Sequence, residues 1–567
     1  MTKRGVRHNP VVLPGESVSS TIADDLPKGL FQSSPLNKAM GMYLPATVAF
    51  RLLNFARILL LTWWMTRQQF GLLAMILFTI NVMTPLCSFG LNEAVARYVP
   101  QHETRGSLRQ FLLRSASLLL PVTAVSVLLM VAFSSLLGVF FYAQFFTDPA
   151  VFKEFKAGAP QLAQVSAVVI GLLIAYFYLL AVLKGLRMFI ALAVIEVLHS
   201  LLFLLGAIVA RVGGHLSAFT LTGIYGISLA IPVAIFGLAL ARAVGRWRSQ
   251  HHEIIEPPQG RSLSNTLLRF SVWTTLAGVT WQIMIVYPAW FLNKVHGNEA
   301  VGVFSAVRQI GQFILIGAVA VSTVVMTTVT KTWESQGRKA AERQLSLAIR
   351  GTGLGLFMLC AIVAMGKDWV ILIFKAEYAA GASILPLQLL FFLIGAYLAF
   401  LPIHFQLIEK TRHIFWPWAV GVAANVLVAL WLLGPNLETV QDLAIWQRLT
   451  PITSAIFVTG FSDPQGLGSA AWCGVIAIAT ALVLCMVLIR AERCRLDRGT
   501  YIVVASAILL AAKPWILAVG IVVLLVLAMR TELIFTADER RRLIKYVSNS
   551  LGHVPGFGLL WRRANGK

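Results

Sequence analysis

No aspartate occurs within any long apolar segment of this chain, and charged residues make up only 13% of its 567 positions. A site built for organic cations would use acidic groups there, so the lack of Asp argues against one. The sequence has no GxxxxGK[ST] phosphate loop, which excludes ATP hydrolysis by that route. Its five cysteines (Cys87, Cys360, Cys473, Cys485 and Cys494) lie in apolar segments or a basic loop, and they imply no disulfide framework. His251-His252-Glu253 has no further Cys or His at zinc spacing and reads as solvated linker, so no metal or other cofactor is expected. The polar N-terminus up to Lys38 lacks the charged-then-apolar pattern of a removable signal peptide. No external loop is large: the longest, about residues 435–466, offers little material for catalysis, and no enzymatic activity is expected.

What the chain has in abundance is apolar length. Hydrophobic residues make up 58% of it, and its mean hydropathy is +0.77. A soluble protein of this size could not hide that much apolar surface. Long apolar runs recur along almost the whole chain, so the expected fold is an all-α polytopic membrane protein. The net charge of +23 is spread among many short loops, which does not fit nucleic-acid binding.

Apolar segments fall at about 39–66, 71–92, 113–141, 160–182, 188–210, 218–241, 270–292, 300–330, 345–366, 383–408, 414–434 and 467–489. The stretch 500–529 reads as one long helix or as two short ones broken at Lys513-Pro514. Charge decides between them. With the N-terminus inside and a helix pair at 500–529, most of the 47 Lys and Arg residues fall on cytoplasmic segments. A single span would instead place Arg540, Arg541, Arg542 and Lys545 outside. The expectation is therefore about fourteen transmembrane helices with both termini cytoplasmic. The run TADERRRLIKYVSNSLG reads either as a basic amphipathic helix on the inner leaflet or as an unstructured positive tail.

The segments form an internal repeat. A shift of 231 residues aligns Gly71 with Gly302, Glu103 with Glu334 and Gly106 with Gly337; a shift of 225 sets KGLR (184–187) beside EKTR (409–412). Each half holds six spans, an even number, so both enter from the same side and the repeats are parallel. The expected organisation is a cytoplasmic tail (1–38), a six-helix bundle (39–245), a linker (246–268), a second six-helix bundle (269–490), a helix pair (491–530) and a basic tail (531–567). Two bundles about a central cavity are a transporter architecture.

The informative polar residues are those inside the apolar segments. Arg51, Asn54 and Arg57 recur every three residues in RLLNFAR, which places them on one helical face. An Arg at the centre of a membrane helix costs at least about 2.5–3.5 kcal/mol and usually faces a protein interior or a water-filled cavity. Ser305, Arg308 and Gln312 share a face in the opposite half. Together the two stripes read as walls of a cationic cleft for a phosphate-bearing ligand, since guanidinium forks match phosphate oxygens. Snorkelling or bonding to helix carbonyls is the alternative role for each Arg. Glu196 and His199, spaced i,i+3, are candidates for ion coupling or for a self-satisfying buried pair; His404 is a further candidate for ion coupling and faces either the cavity or the headgroups. Trp63 and Trp64 read as an interfacial aromatic pair.

Three stretches carry a family resemblance. FARILLLTWWMTRQQFGLLAMILFTINVMTPLCSFGLNEAVARYVP (55–100) resembles the opening helix pair of bacterial polysaccharide flippases of the multidrug/oligosaccharidyl-lipid/polysaccharide exporter superfamily. GNEAVGVFSAVRQIGQFIL (297–315) resembles the start of their eighth span, and IFKAEYAAGASILPLQLL (373–390) their loop into the tenth. The resemblance runs from about 39 to 545. It implies two six-helix bundles plus a C-terminal pair, alternating access, and carriage of undecaprenyl-pyrophosphate-linked sugars across a bacterial inner membrane. It further implies membrane lipids and other polysaccharide-assembly proteins as partners. Arg57 and Arg308 match cavity arginines held to engage the pyrophosphate in a related lipid flippase. Many relatives carry an acid on span 7, whereas WQIMIVY (281–287) has none. Membrane glycan polymerase or ligase, drug exporter and assembly scaffold are the rival readings.

Overall fold

The structure, a computed structural model, describes residues 50, 52–104, 107–141, 149–186, 188–246, 263–408, 410, 412–432, 457, 466–494 and 496–541. Regular structure among them is helical, with one isolated antiparallel bridge between Phe457 and Ala512. An apolar chain in lipid must satisfy its backbone internally, and helices do so within each segment.

The principal helices are α1 (Leu52–Trp64), α2 (Arg67–Ser88), α3 (Leu108–Ala132), α4 (Pro149–Gly185), α5 (Phe189–Val212) and α6 (Ala218–Arg246). Leu263–Gln336 bends at Gly297, whose φ of 77° no ordinary helix contains, into an arm α7 before it and α8 after it. Then come α9 (Arg338–Met365), α10 (Leu385–Phe400), α11 (Arg412–Leu432), α12 (Leu467–Ala491), α13 (Arg498–Ser506) and α14 (Pro514–Arg530). Ten helices among the described residues are long and apolar enough to cross a membrane, the bent Leu263–Gln336 helix being one of them. Apolar side chains on their outer faces stay exposed, among them Leu120, Val209 and Leu427, as a lipid-facing surface requires. By contrast α10 is buried nearly all round, as a helix enclosed by other helices must be.

Local sequence explains the boundaries. The Thr66 hydroxyl caps α2 by accepting the Gln69 amide at 3.3 Å. The break expected at Lys513-Pro514 is present, with Pro514 opening α14 after a 3-10 turn over Ala507–Ala511. The N-terminal tail, the loop at about 435–456 and the basic tail beyond residue 541 lie outside the described residues.

The C-terminal helices are tied to α9 by an ionic cluster in which Arg350 and Glu539 are buried. Arg350 on α9 meets Asp497 Oδ2 at 2.9 Å and Glu539 Oε1 at 3.2 Å, and donates to the Ile534 carbonyl. Thr536 and Glu539 form a capping box, with the Glu539 carboxylate accepting the Thr536 amide at 3.0 Å. Burial alone would raise the Glu539 carboxyl pKa, but the Thr536 amide and Arg350 hold it below the usual carboxylate range. Its contribution is therefore complete above that range and is lost as pH falls through the depressed value. Arg350→Met strands a buried carboxylate, an expected loss of about 3–5 kcal/mol. A clear fall in the thermal midpoint of the detergent-solubilised protein at neutral pH would show it; an unchanged midpoint would refute it.

Candidate functional site

A cavity of about 380 Å³ opens between α1, α4, α5, α6 and α8. Asn54, Arg57 and Ile58 reach it from α1, Glu196 and His199 from α5, Tyr225 from α6, and Gln309, Gln312 and Phe313 from α8. Five of the residues singled out in the sequence thus meet at one place: Asn54, Arg57, Glu196, His199 and Gln312. Arg51 lies outside the described residues.

Asn54, Arg57 and His199 are each held by a neighbouring helix. Asn54 Oδ1 accepts the Ser200 hydroxyl at 3.0 Å, locking α1 to α5. The Arg57 guanidinium lies over the Phe203 ring, 4.6 Å from its centroid, a cation–π contact that fixes its direction without neutralising it. Ser228 donates its hydroxyl to the Tyr225 carbonyl at 2.8 Å, so His199 Nδ1, 3.1 Å from the same oxygen, is the donor of their bond. That assigns a neutral His199 an accepting Nε2. Its ring is flanked by Tyr176 and Tyr225, each at 5.4 Å. Phe55 and Phe313 meet edge to face at 5.0 Å and join α1 to α8 beside the cavity.

Arg308 stands elsewhere. It is 1% exposed, donates through Nη1 to the Ile285 carbonyl on α7 at 2.6 Å, and sits between the rings of Phe78 and Phe392. The face of α8 that lines the cavity is Gln309, Gln312 and Phe313, an i,i+3,i+4 stripe rotated one position from the one that holds Ser305 and Arg308. His404 is also remote from the cavity, packed edge-on to Trp333. Tyr176, Phe203, Tyr225 and Gln309 escaped sequence reasoning. A signal existed for Phe203, which extends the Glu196–His199 stripe by one turn, but not for tyrosines in otherwise apolar helices. The acid-free stretch of α7 is a packing surface: Trp281 stacks on Phe391 and contacts Trp418.

Near one end of the bundle α2 and α8 touch backbone to backbone. A Cβ on Gly71 would lie 2.0 Å from the Asn298 carbonyl oxygen, and one on Gly302 would lie 2.5 Å from that of Arg67. The two contacts are exchanged by the 231-residue shift found in the sequence. Around them Arg67 pairs with Glu299 at 3.2 Å and approaches Glu377 at 3.8 Å, while Trp63 Nε1 donates to the Ile373 carbonyl at 3.0 Å. Trp63, read as interfacial, remains half exposed while making that bond.

The sequence profile of a family described as polysaccharide biosynthesis protein matches residues 36–333, more than half of the chain. The chain belongs to that family. No curated protein matches it in sequence. Among solved structures it is similar to the lipid II flippase MurJ in an inward closed conformation, with a TM-score of 0.57, 13% identity, and coverage of 86% of this chain and 98% of that one. An inward-facing multidrug resistance MATE family transporter of the MOP superfamily gives a TM-score of 0.55 at 13% identity over 78% of this chain and 95% of the other. A MOP superfamily transporter from Pyrococcus furiosus, described as having a binding pocket of reverse polarity, gives 0.55 at 12% identity over 82% and 99%. At these identities the likeness is one of fold. This member of the polysaccharide biosynthesis protein family is accordingly a multi-pass membrane protein with the fold of MOP superfamily transporters.

Proposed function

We propose that the chain is a flippase, moving an undecaprenyl-pyrophosphate-linked oligosaccharide from the cytoplasmic to the outer leaflet of a bacterial inner membrane for cell-surface polysaccharide synthesis. The observation that carries this reading is Arg57, a permanent cation aimed into a cavity deep in an otherwise apolar helix bundle. Family membership and a fold shared with a lipid II flippase support it. In this reading the fourteen helices cross the membrane as two six-helix bundles (39–245 and 269–490) plus a C-terminal pair, with both termini cytoplasmic. The seam of α2 and α8 lies at the outer end, so the cavity is reached from the inside.

The mechanism follows from the charge. A pyrophosphate cannot enter lipid unneutralised, and the Arg57 fork with the Asn54, Gln309 and Gln312 amides offers donors to its oxygens. The polyprenyl tail stays in lipid while the sugar head occupies the cavity. Rocking of one bundle against the other opens the seam and releases the head outward. His199 and Glu196, beside Arg57, are placed to take or release an ion as the charge of the cavity changes.

Glu196 and the aromatic residues that line the same cavity also suit an organic cation, and the likeness to a multidrug MATE transporter supports the exporter reading as well. Proteoliposomes separate the two. Wild-type protein is expected to expose a labelled undecaprenyl-pyrophosphate oligosaccharide on the opposite leaflet, without competition from tetraphenylphosphonium. Uptake of the cation with no movement of the glycolipid would favour the exporter.

A further inference from the structure

Three residues far apart in the sequence and absent from the cavity converge at the other end of the second half. Glu342 lies in the first turns of α9, His404 in the short helix Pro402–Leu407 that continues α10, and Cys494 in the turn after α12. One donor atom from each, a carboxylate oxygen, a ring nitrogen and a sulfur, lies within 4.8 Å of the other two. All three are buried, at 7%, 1% and 3% exposure. Independently, neither ring nitrogen of His404 has a hydrogen-bond partner, although almost all buried polar groups find one. Trp333 and Phe405 offer it only ring contacts, at 6.5 and 6.1 Å.

We propose that Glu342, His404 and Cys494 form a binding site for one divalent transition-metal ion of the zinc class. The donor set decides the class. A thiolate and an imidazole suit Zn²⁺ or Co²⁺, whereas Mg²⁺ and Ca²⁺ take oxygen ligands almost alone. Zinc bonds of about 2.0–2.3 Å put tetrahedral neighbours roughly 3.5 Å apart, so the donors need to close by about 1 Å, leaving a fourth position for water. Binding releases the Cys494 thiol proton, so one thiolate and one carboxylate offset the two charges of the ion and leave the Arg338 cation in excess. Arg338 Nε already donates to Glu342 Oε1 at 2.7 Å and holds the carboxylate in place, as outer partners of metal ligands do. Its cation opposes the ion, while its second bond, to the Glu492 carbonyl at 2.6 Å, anchors it to the Cys494 turn. The bound ion would fasten α9, the end of α10 and the turn leading into α13 to one another.

The test uses full-length protein stripped of metal and titrated with Co²⁺. One equivalent is expected to bind with a thiolate-to-cobalt charge-transfer band and tetrahedral visible bands, both removed by Zn²⁺. Cys494→Ser is expected to lose the charge-transfer band, His404→Gln to weaken binding roughly 100-fold, and Cys360→Ala, a buried thiol elsewhere on α9, to change neither. Should the variants not fold, X-ray absorption of zinc-loaded wild type is decisive without them, and one sulfur among lighter neighbours is expected. A wild-type protein that binds no Co²⁺, a thiolate band that survives Cys494→Ser, or a zinc shell without sulfur would overturn the proposal.

Discussion

Arg57→Ala is expected to slow glycolipid translocation in proteoliposomes by roughly 10- to 100-fold while leaving the protein folded. The size follows from the bonds at stake: a hydrogen bond to a charged group contributes about 1.5–3 kcal/mol, and 1.4 kcal/mol is about tenfold in rate or affinity. Arg57→Lys keeps the charge but loses the planar fork and the stacking on Phe203, so an intermediate loss is expected. Because the Arg57 side chain lines a cavity, with Phe203 stacked against its guanidinium, the thermal midpoint should move less than on removal of an arginine packed on every side. Arg308→Ala provides the contrast. Its side chain fills the space between Phe78 and Phe392 and satisfies the Ile285 carbonyl, so removal opens a void among α2, α7 and α10 and lowers the midpoint. Full translocation by folded Arg57→Ala would sink the assignment of Arg57 to the substrate. An Arg308→Ala protein as stable as wild type but inactive would return Arg308 to the substrate path.

The difference between these arginines marks how far sequence reasoning reached. The Asn54–Arg57 face was legible because three-residue spacing in an apolar helix leaves only one polar stripe. On α8 the run Ser305, Arg308, Gln309, Gln312 contains two adjacent polar stripes, and only packing against Ile285, Phe78 and Phe392 decides which turns inward. A buried guanidinium bonded to a helix carbonyl carries the same sequence signature as one facing a ligand. The helix break at Pro514 could be read from the chain, since proline lacks the amide that would continue the helix. The meeting of Glu342, His404 and Cys494 could not, because no local spacing encodes contacts between three separate helix ends.

The repeat leads to a second expectation of comparable size. Gly71 and Gly302 were aligned by spacing alone, yet each sits where α2 and α8 touch, against the backbone of the residue four positions before its counterpart. Any side chain at Gly71 brings its Cβ within 2.0 Å of the Asn298 carbonyl oxygen, a contact that no side-chain rotation relieves because that oxygen belongs to the backbone. Gly71→Leu therefore forces α2 and α8 apart, and overpacking of this kind costs about 1–3 kcal/mol. That cost falls on the seam-closed arrangement, so the population should shift roughly 5- to 150-fold toward an opened seam. Spin labels at the exposed positions Gln68 and Lys294 would report it as a longer, broader distance distribution. Gly302→Leu is expected to do the same, since its Cβ meets the Arg67 carbonyl oxygen at 2.5 Å. Arg67→Ala should do far less. Its ion pairs with Glu299 and Glu377 are largely exposed, and such pairs contribute about 0–1 kcal/mol. If the charges rather than the glycines held the seam, the order of these effects would reverse. An unchanged distribution in both glycine variants would mean that α2 and α8 do not part along this line.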